Sequence, residues 1–122
     1  MNRVQKTILI VDDDVDLADT YAELATIKGY MTKTAYSGTD AVKTFKETRP
    51  NLVIMDIKMP DMDGWEAFYK IKEIDPNAKI ILITGNQYDE DKHKEAKRKT
   101  LLLLVTKPVS VDFLTELFAR YS

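Results

Sequence analysis

The sequence predicts a doubly wound, five-stranded parallel α/β sheet covered by helices on both faces. Three observations lead there. Four short runs are apolar at every position, which is how strands buried on both faces read. The stretches between them place apolar residues at helical spacing. The alternation of strand and helix repeats five times within 122 residues, as right-handed crossover units of an open parallel sheet do.

The elements follow in order. Ile8-Leu9-Ile10-Val11 is mostly β-branched and ends at Asp12-Asp13-Asp14, a strand stopped by charge. Leu17, Tyr21, Leu24 and Ile27 then mark one helix face, with Asp13 or Asp14 as the cap and Gly29 where a left-handed residue closes a helix. A weaker strand runs from Tyr30 to Tyr36. Ala41, Val42 and Phe45 mark a second helix that stops before Pro50. Leu52-Val53-Ile54-Met55 is the next strand and ends in Asp56; Trp65, Phe68 and Ile71 mark a third helix, ending near Asp75-Pro76. Ile80 to Ile83 is a strand ending in Thr84-Gly85. Asp89 to Lys99 is nearly all charged, with Ala96 its main apolar residue, so a helix there has only a thin buried stripe and is expected to be marginal or partner-dependent. Leu101 to Val105 is assigned as the fifth strand because the run is short, Thr106 follows and Pro108 stops it. Val111, Leu114, Leu117, Phe118 and Tyr121 mark the last helix, capped by Ser110.

Composition bounds the function. Apolar residues at 44% and charged residues at 31% suit one globular core, and residues 1–122 read as a single domain with 1–6 as a loose lead-in. Eighteen Lys and Arg against 20 Asp and Glu leave a net charge of −2, so no global positive field points to nucleic acid or anionic lipid. No apolar run has the length of a membrane helix, and no signal peptide is visible. The absence of Cys excludes disulfides and thiolate chemistry and fits a cytoplasmic protein.

Polar groups at the carboxyl ends of parallel strands meet in one crevice. Here those ends carry Asp12, Asp13, Asp56, Thr84 and Lys107. Three clustered carboxylates repel one another unless a proton or a cation joins them. With no Cys, and with the one histidine, His93, in the charged segment, the available ligands are oxygens, which suits Mg²⁺. A divalent cation, an ammonium and a hydroxyl around one carboxylate make a site for a phosphoryl group, with Asp56 as an in-line nucleophile.

The pattern resembles the receiver domain of two-component response regulators. The matching pieces are Ile10-Val11-Asp12-Asp13, Ser37-Gly38, Val53-Ile54-Met55-Asp56, Met59-Pro60-Asp61-Met62-Asp63-Gly64, Ile83-Thr84-Gly85 and Thr106-Lys107-Pro108. The match runs from about Lys6 to the end, in the family's order and spacing. The resemblance implies a flavodoxin-like three-layer sandwich with strand order 2-1-3-4-5. It implies that Asp56 accepts the phosphoryl group and that Asp12, Asp13, Asp56 and the backbone carbonyl of Lys58 hold Mg²⁺, with Mn²⁺ as a substitute. Thr84 would bind the phosphoryl group and Lys107 would pair with Asp56 and then with the phosphoryl oxygen. A histidine kinase or histidine phosphotransfer protein would be the donor. The domain would catalyse only its own phosphorylation and dephosphorylation. The side chains of Lys58 and Asn86 would tune the lifetime of the product.

The bland readings stand beside these. Asp14 and Asp16 read as cap and surface residues. Asp61, Asp63, Pro60 and Gly64 read as turn geometry, Trp65 as packing, and His93 and the charges around it as a solvated face. An aspartyl phosphatase of the haloacid-dehalogenase-like kind would need a DxD nucleophile motif on the first strand, a second acidic pair and a cap, and only the first acids are present. The chain departs from the family pattern at Leu104, where an aromatic is usual three residues before the lysine. That raises the alternative of a phosphorylation-independent interaction domain with the same fold. Leucines 101–103 also depart, and residues 88–121 are the expected face for self-association or effector docking. No output domain is expected in this chain.

Overall fold

The computed structural model describes residues 5–85 and 88–122. Ten elements alternate: β1 (Thr7–Val11), α1 (Val15–Ile27), β2 (Met31–Ala35), α2 (Gly38–Thr48), β3 (Leu52–Asp56), α3 (Gly64–Ile74), β4 (Ile80–Thr84), α4 (Glu90–Arg98), β5 (Leu103–Thr106) and α5 (Val111–Tyr121). All four strand pairings are parallel, in the order β2-β1-β3-β4-β5. The register sets Val11 beside Met55, Asp56 beside Ile83 and Thr84 beside Thr106. Four strands that are far apart in sequence therefore end at one level.

Alternate side chains of the central strands point to opposite faces, and each face has its own core. Leu9, Val11, Val53, Met55, Ile80 and Leu82 join Phe45, Trp65, Phe68, Ile71 and Ala96 under α2, α3 and α4. Ile8, Ile10, Leu52, Ile54, Ile81 and Ile83 join Ala18, Ala22, Leu114, Leu117 and Phe118 under α1 and α5. This two-sided burial is why the strand runs lack polar alternation.

Caps seat the helices at the site end of the sheet. Side-chain oxygens of Asp14, Ser37, Asp63, Asp89 and Ser110 accept backbone N–H bonds from the first turns of α1 to α5 respectively. Asp63 and Asp61, the latter at φ 66°, shape the turn into α3. Gly64 is required there: a Cβ on it would lie 2.5 Å from the Asp56 carbonyl oxygen and 2.7 Å from Ile57 Cα. The first turn of α3 thus lies directly against the end of β3.

Two boundaries differ from the sequence expectation. The fifth strand begins at Leu103 rather than Leu101. Thr100 takes a left-handed φ of 63°, and Leu101 N–H donates back to Ala96 O, so Leu101 closes α4, while Leu102 N–H already donates across to Ile80 O of β4. At the other end, Gln5 and Lys6 are tied down. Gln5 Nε2 donates to Gly29 O, Lys6 Nζ donates to Ser122 O at 2.7 Å, and Lys6 O accepts from Met31 N–H. Among the described residues, no helix is long and apolar enough to cross a membrane.

Candidate functional site

The carboxyl ends of β1, β3 and β4 and the turn after β5 form an acidic cup. Asp12 follows β1 and is 4% exposed; Asp56 is the last residue of β3 and is 6% exposed. Asp13 is exposed beside them. One carboxylate oxygen from each of these three residues lies within 4.8 Å of the other two. Lys107 Nζ stands 3.2 Å from Asp56 Oδ1 and 3.7 Å from Asp12 Oδ2. Asp12 Oδ1 accepts the backbone N–H of Asp14, which holds that carboxylate against the start of α1. Thr84, also buried, ends β4, and its carbonyl accepts Lys107 N–H at 2.8 Å. That bond holds the lysine backbone at the cup, and the Lys107–Pro108 peptide is cis.

One ammonium does not balance three carboxyl groups. Burial, then the neighbouring Asp12 carboxylate, push the Asp56 carboxyl up to about 6 against the opposing pull of Lys107. Burial also raises Asp12, although the Asp14 N–H and Lys107 favour its ionised form. Burial by itself would lower Lys107, but Asp56 and Asp12 together outweigh it and leave the ammonium raised. The cup therefore holds surplus negative charge in a mostly desolvated place, surrounded by oxygen donors. A hard divalent cation fits that donor set, because it removes the carboxylate repulsion and accepts all-oxygen coordination.

On the Thr84 side of the cup lies a cavity of about 710 Å³ whose lining includes Lys58, Trp65, Thr84, Tyr88 and Lys92. Lys58 is exposed there, two residues past Asp56, and Asn86 lies outside the described residues. A second hollow of about 470 Å³ runs between α1 and the β5–α5 turn, past Leu17, Tyr21, Lys107 and Pro108. The helical spacing marks Tyr21 only as part of the buried face of α1. In the structure its phenol is raised by burial and feels Lys107, Asp12 and Asp56, so it belongs to the surroundings of the cup. Its i+4 relation to Leu17, one turn from the acids, was the available signal.

Leu104 lies beside Leu82 in the sheet register and packs, half-buried, into the core under α3 and α4. Leu101 packs into the same core, whereas Leu102 and Leu103 pack into the core under α1 and α5. None of the four leucines is among the exposed large apolar residues. They cover the foot of α4 and the sheet edge rather than forming an open apolar patch. His93 is partly buried against Tyr88, with ring centroids 5.4 Å apart, and is remote from the acids in the contacts it makes.

Comparison with known proteins adds to this geometry. The response regulator receiver domain family matches residues 8–119. Sporulation initiation phosphotransferase F of Bacillus subtilis is 34% identical over 119 residues, covering 97% of this chain and 94% of that protein. Chemotaxis protein CheY of Thermotoga maritima is 44% identical over 81 residues, or 66% of this chain and 68% of that one. A receiver domain protein from Clostridium thermocellum superposes with a TM-score of 0.86 at 29% identity, covering 95% of this chain and 93% of its own. CheY in the CheX–CheY–BeF3–Mg complex from Borrelia burgdorferi gives 0.81 at 30% identity, with 91% and 84% covered.

Proposed function

This chain belongs to the response regulator receiver family, and from that premise we propose that Asp56 is its phosphoacceptor in a two-component phosphorelay. A histidine kinase or histidine phosphotransfer protein donates the group, and a face within residues 88–121 carries the signal on, by self-association or by docking an effector. The chain is a signalling domain whose chemistry is confined to its own aspartate, in the cytoplasm. One observation carries the reading. The buried Asp56 carboxylate sits 3.2 Å from a lysine ammonium, inside a cluster with two further acids from another strand end.

The residues divide the work. Asp56 is mostly ionised at neutral pH, and its raised basicity strengthens it as a nucleophile. An Asp56 oxygen bonds to phosphorus as the phosphorus–nitrogen bond of a phosphohistidine breaks, and the bonding pair returns to the imidazole. Lys107 moves its hydrogen bond from the free carboxylate to a phosphoryl oxygen, and the Thr84 hydroxyl donates to another. Asp12, Asp13, Asp56 and the Lys58 carbonyl would hold Mg²⁺, or Mn²⁺ in its place, which supplies neutralisation of the charge on the phosphoryl oxygens. The new group adds about −1.5 to −2 charges at the strand ends. A near-complete switch requires it to favour one state by about 5.5 kcal/mol.

Leu104 supports a second reading, a partner-binding domain that works without phosphorylation. It offers neither ring nor hydroxyl to follow a movement of Thr84. Intact mass after incubation with Mg²⁺ and acetyl phosphate separates the two. The expected result is one phosphoryl increment on the wild type and a loss of at least about 100-fold in Asp56→Asn, the scale of removing an essential group. An unlabelled wild type favours the second reading, and equal labelling of Asp56→Asn places the acceptor elsewhere.

A further inference from the structure

The loop between β3 and α3 carries Lys58, and two glycines hold it from opposite sides. On the inner side, Ile57 N–H donates to Ile83 O at 2.9 Å, and Ile57 O accepts Gly64 N–H at 2.7 Å. Both ends of the loop are thereby pinned to the sheet. On the outer side the loop meets the start of α2. A Cβ built on Gly38, the first residue of that helix, would collide with the Met62 carbonyl oxygen and lie 3.0 Å from Met62 Cβ and Cγ. Gly38 is helical, so the requirement is for space and not for a left-handed backbone.

An overlap of that kind in a close-packed interior moves one of the two partners. The helix is the stiffer one. Ala41 and Phe45 of α2 are buried in the core, and the Ser37 hydroxyl fixes the first turn by accepting Asp40 N–H. The loop has more freedom. Lys58, Pro60 and Asp61 are exposed, and Asp61 already takes a left-handed φ of 66°. Met62 itself is partly buried and packs on the same core as Val42 of α2. A push at position 38 is therefore taken up by the loop, in the stretch between Met62 and the pinned Ile57. Lys58 lies in that stretch.

We propose that Gly38 is a positioning residue for the cation site: its missing side chain lets Met62 seat against α2, and that seat fixes the backbone that presents the Lys58 carbonyl. The proposal rests on the assignment of the Lys58 carbonyl as a cation ligand. Gly38 touches no reacting atom and acts only through the loop. The Ser37-Gly38 pair then has two roles, a cap from the serine and clearance from the glycine.

Mg²⁺ titration calorimetry tests this on the wild type, Gly38→Ala, Met62→Ala and Val42→Ala, with urea denaturation in Mg²⁺-free buffer beside it. Gly38→Ala pushes the seat and Met62→Ala empties it. Each is expected to raise the Mg²⁺ dissociation constant by about 10-fold, the scale of losing a group that orients a metal ligand. Val42→Ala lowers stability from the same helix and the same core, and is expected to leave that constant unchanged. A Gly38→Ala protein that binds like the wild type overturns the proposal, as does a Val42→Ala protein weakened as much. Should Gly38→Ala fail to fold, Met62→Ala decides in its place. Labelling of Gly38→Ala by acetyl phosphate is expected to need more Mg²⁺ and to reach the wild-type extent at saturation. Labelling that stays low at saturation overturns a role confined to the cation. A wild type that binds Mg²⁺ but takes no label counts against the phosphoacceptor reading, while the calorimetry still decides Gly38. A wild type that binds no Mg²⁺ removes the cation site and this proposal with it.

Discussion

β3 and β5 lie in one sheet, separated only by β4, yet they are held very differently. All five residues of β3 are buried, and Gly64 lets the first turn of α3 close directly on its last residue. β5 has four residues, of which only Val105 is buried, and it borders a helix with one buried side chain. The first region carries Asp56; the second is the face proposed to inform a partner. Chemistry that needs side chains held to fractions of an ångström is mounted on the dense region. A change of shape is drawn from the sparse one, where few contacts must be broken.

The sharpest way to break this contrast is to cut matching holes in both regions. Leu52→Ala, fully buried on β3, should cost about 3 to 5 kcal/mol, and Leu104→Ala, half-buried on β5, about 1 to 2 kcal/mol. Urea denaturation of each reads the difference, and equal costs would mean that the flank is packed as tightly as the centre.

A slightly smaller effect probes the electrical cost of the dense region. Asp56 titrates near 6 in the folded protein against 3.8 when unstrained, so the folded state holds this proton more tightly than the unfolded chain does. Its contribution is fully present below about pH 4 and is lost as pH rises toward 6. In Mg²⁺-free buffer, Asp56→Asn should therefore stabilise the protein by about 3 kcal/mol at pH 7 and hardly at all below pH 4. Added Mg²⁺ should stabilise the wild type at pH 7 and leave the variant nearly unchanged. A pH-independent gain would assign the benefit of the asparagine to something other than relieved repulsion.

The smallest effect concerns the loop between β3 and α3. Asp61 sits at φ 66°, a conformation that favours glycine. Asp61→Gly should stabilise by up to about 1 kcal/mol, the strain relief offset by the greater freedom of the unfolded chain. A clear loss of stability in thermal melts would show that the aspartate side chain, not the backbone, makes this turn.

What the letters disclosed follows the same division. Ile8–Val11, Leu52–Met55 and Ile80–Ile83 are apolar because both of their faces are covered, so their unbroken apolarity located them and the acids at their ends located the cup. The start of β5 was not legible, because Leu101 resembles a strand residue and only the left-handed Thr100, with the Leu101 N–H turned back to Ala96 O, shows that it belongs to the end of α4. Lys72 reads in sequence as an ordinary helix-surface lysine. Its ammonium donates to the carbonyls of Pro76 and Ala78, just past the end of its own helix, and to the carbonyl and hydroxyl of Thr100, which periodicity along the helix does not reveal.

Trp65 is the only tryptophan in the chain, 4% exposed, and it lines the cavity that Thr84 also lines. The protein thus carries a built-in optical probe on the same cavity wall as one residue of the proposed site. Indole emission responds to nearby fields and to water, so the proposed cation loading and phosphoryl transfer are expected to register in fluorescence in real time, on unlabelled protein, with no competing indole signal from elsewhere in the chain.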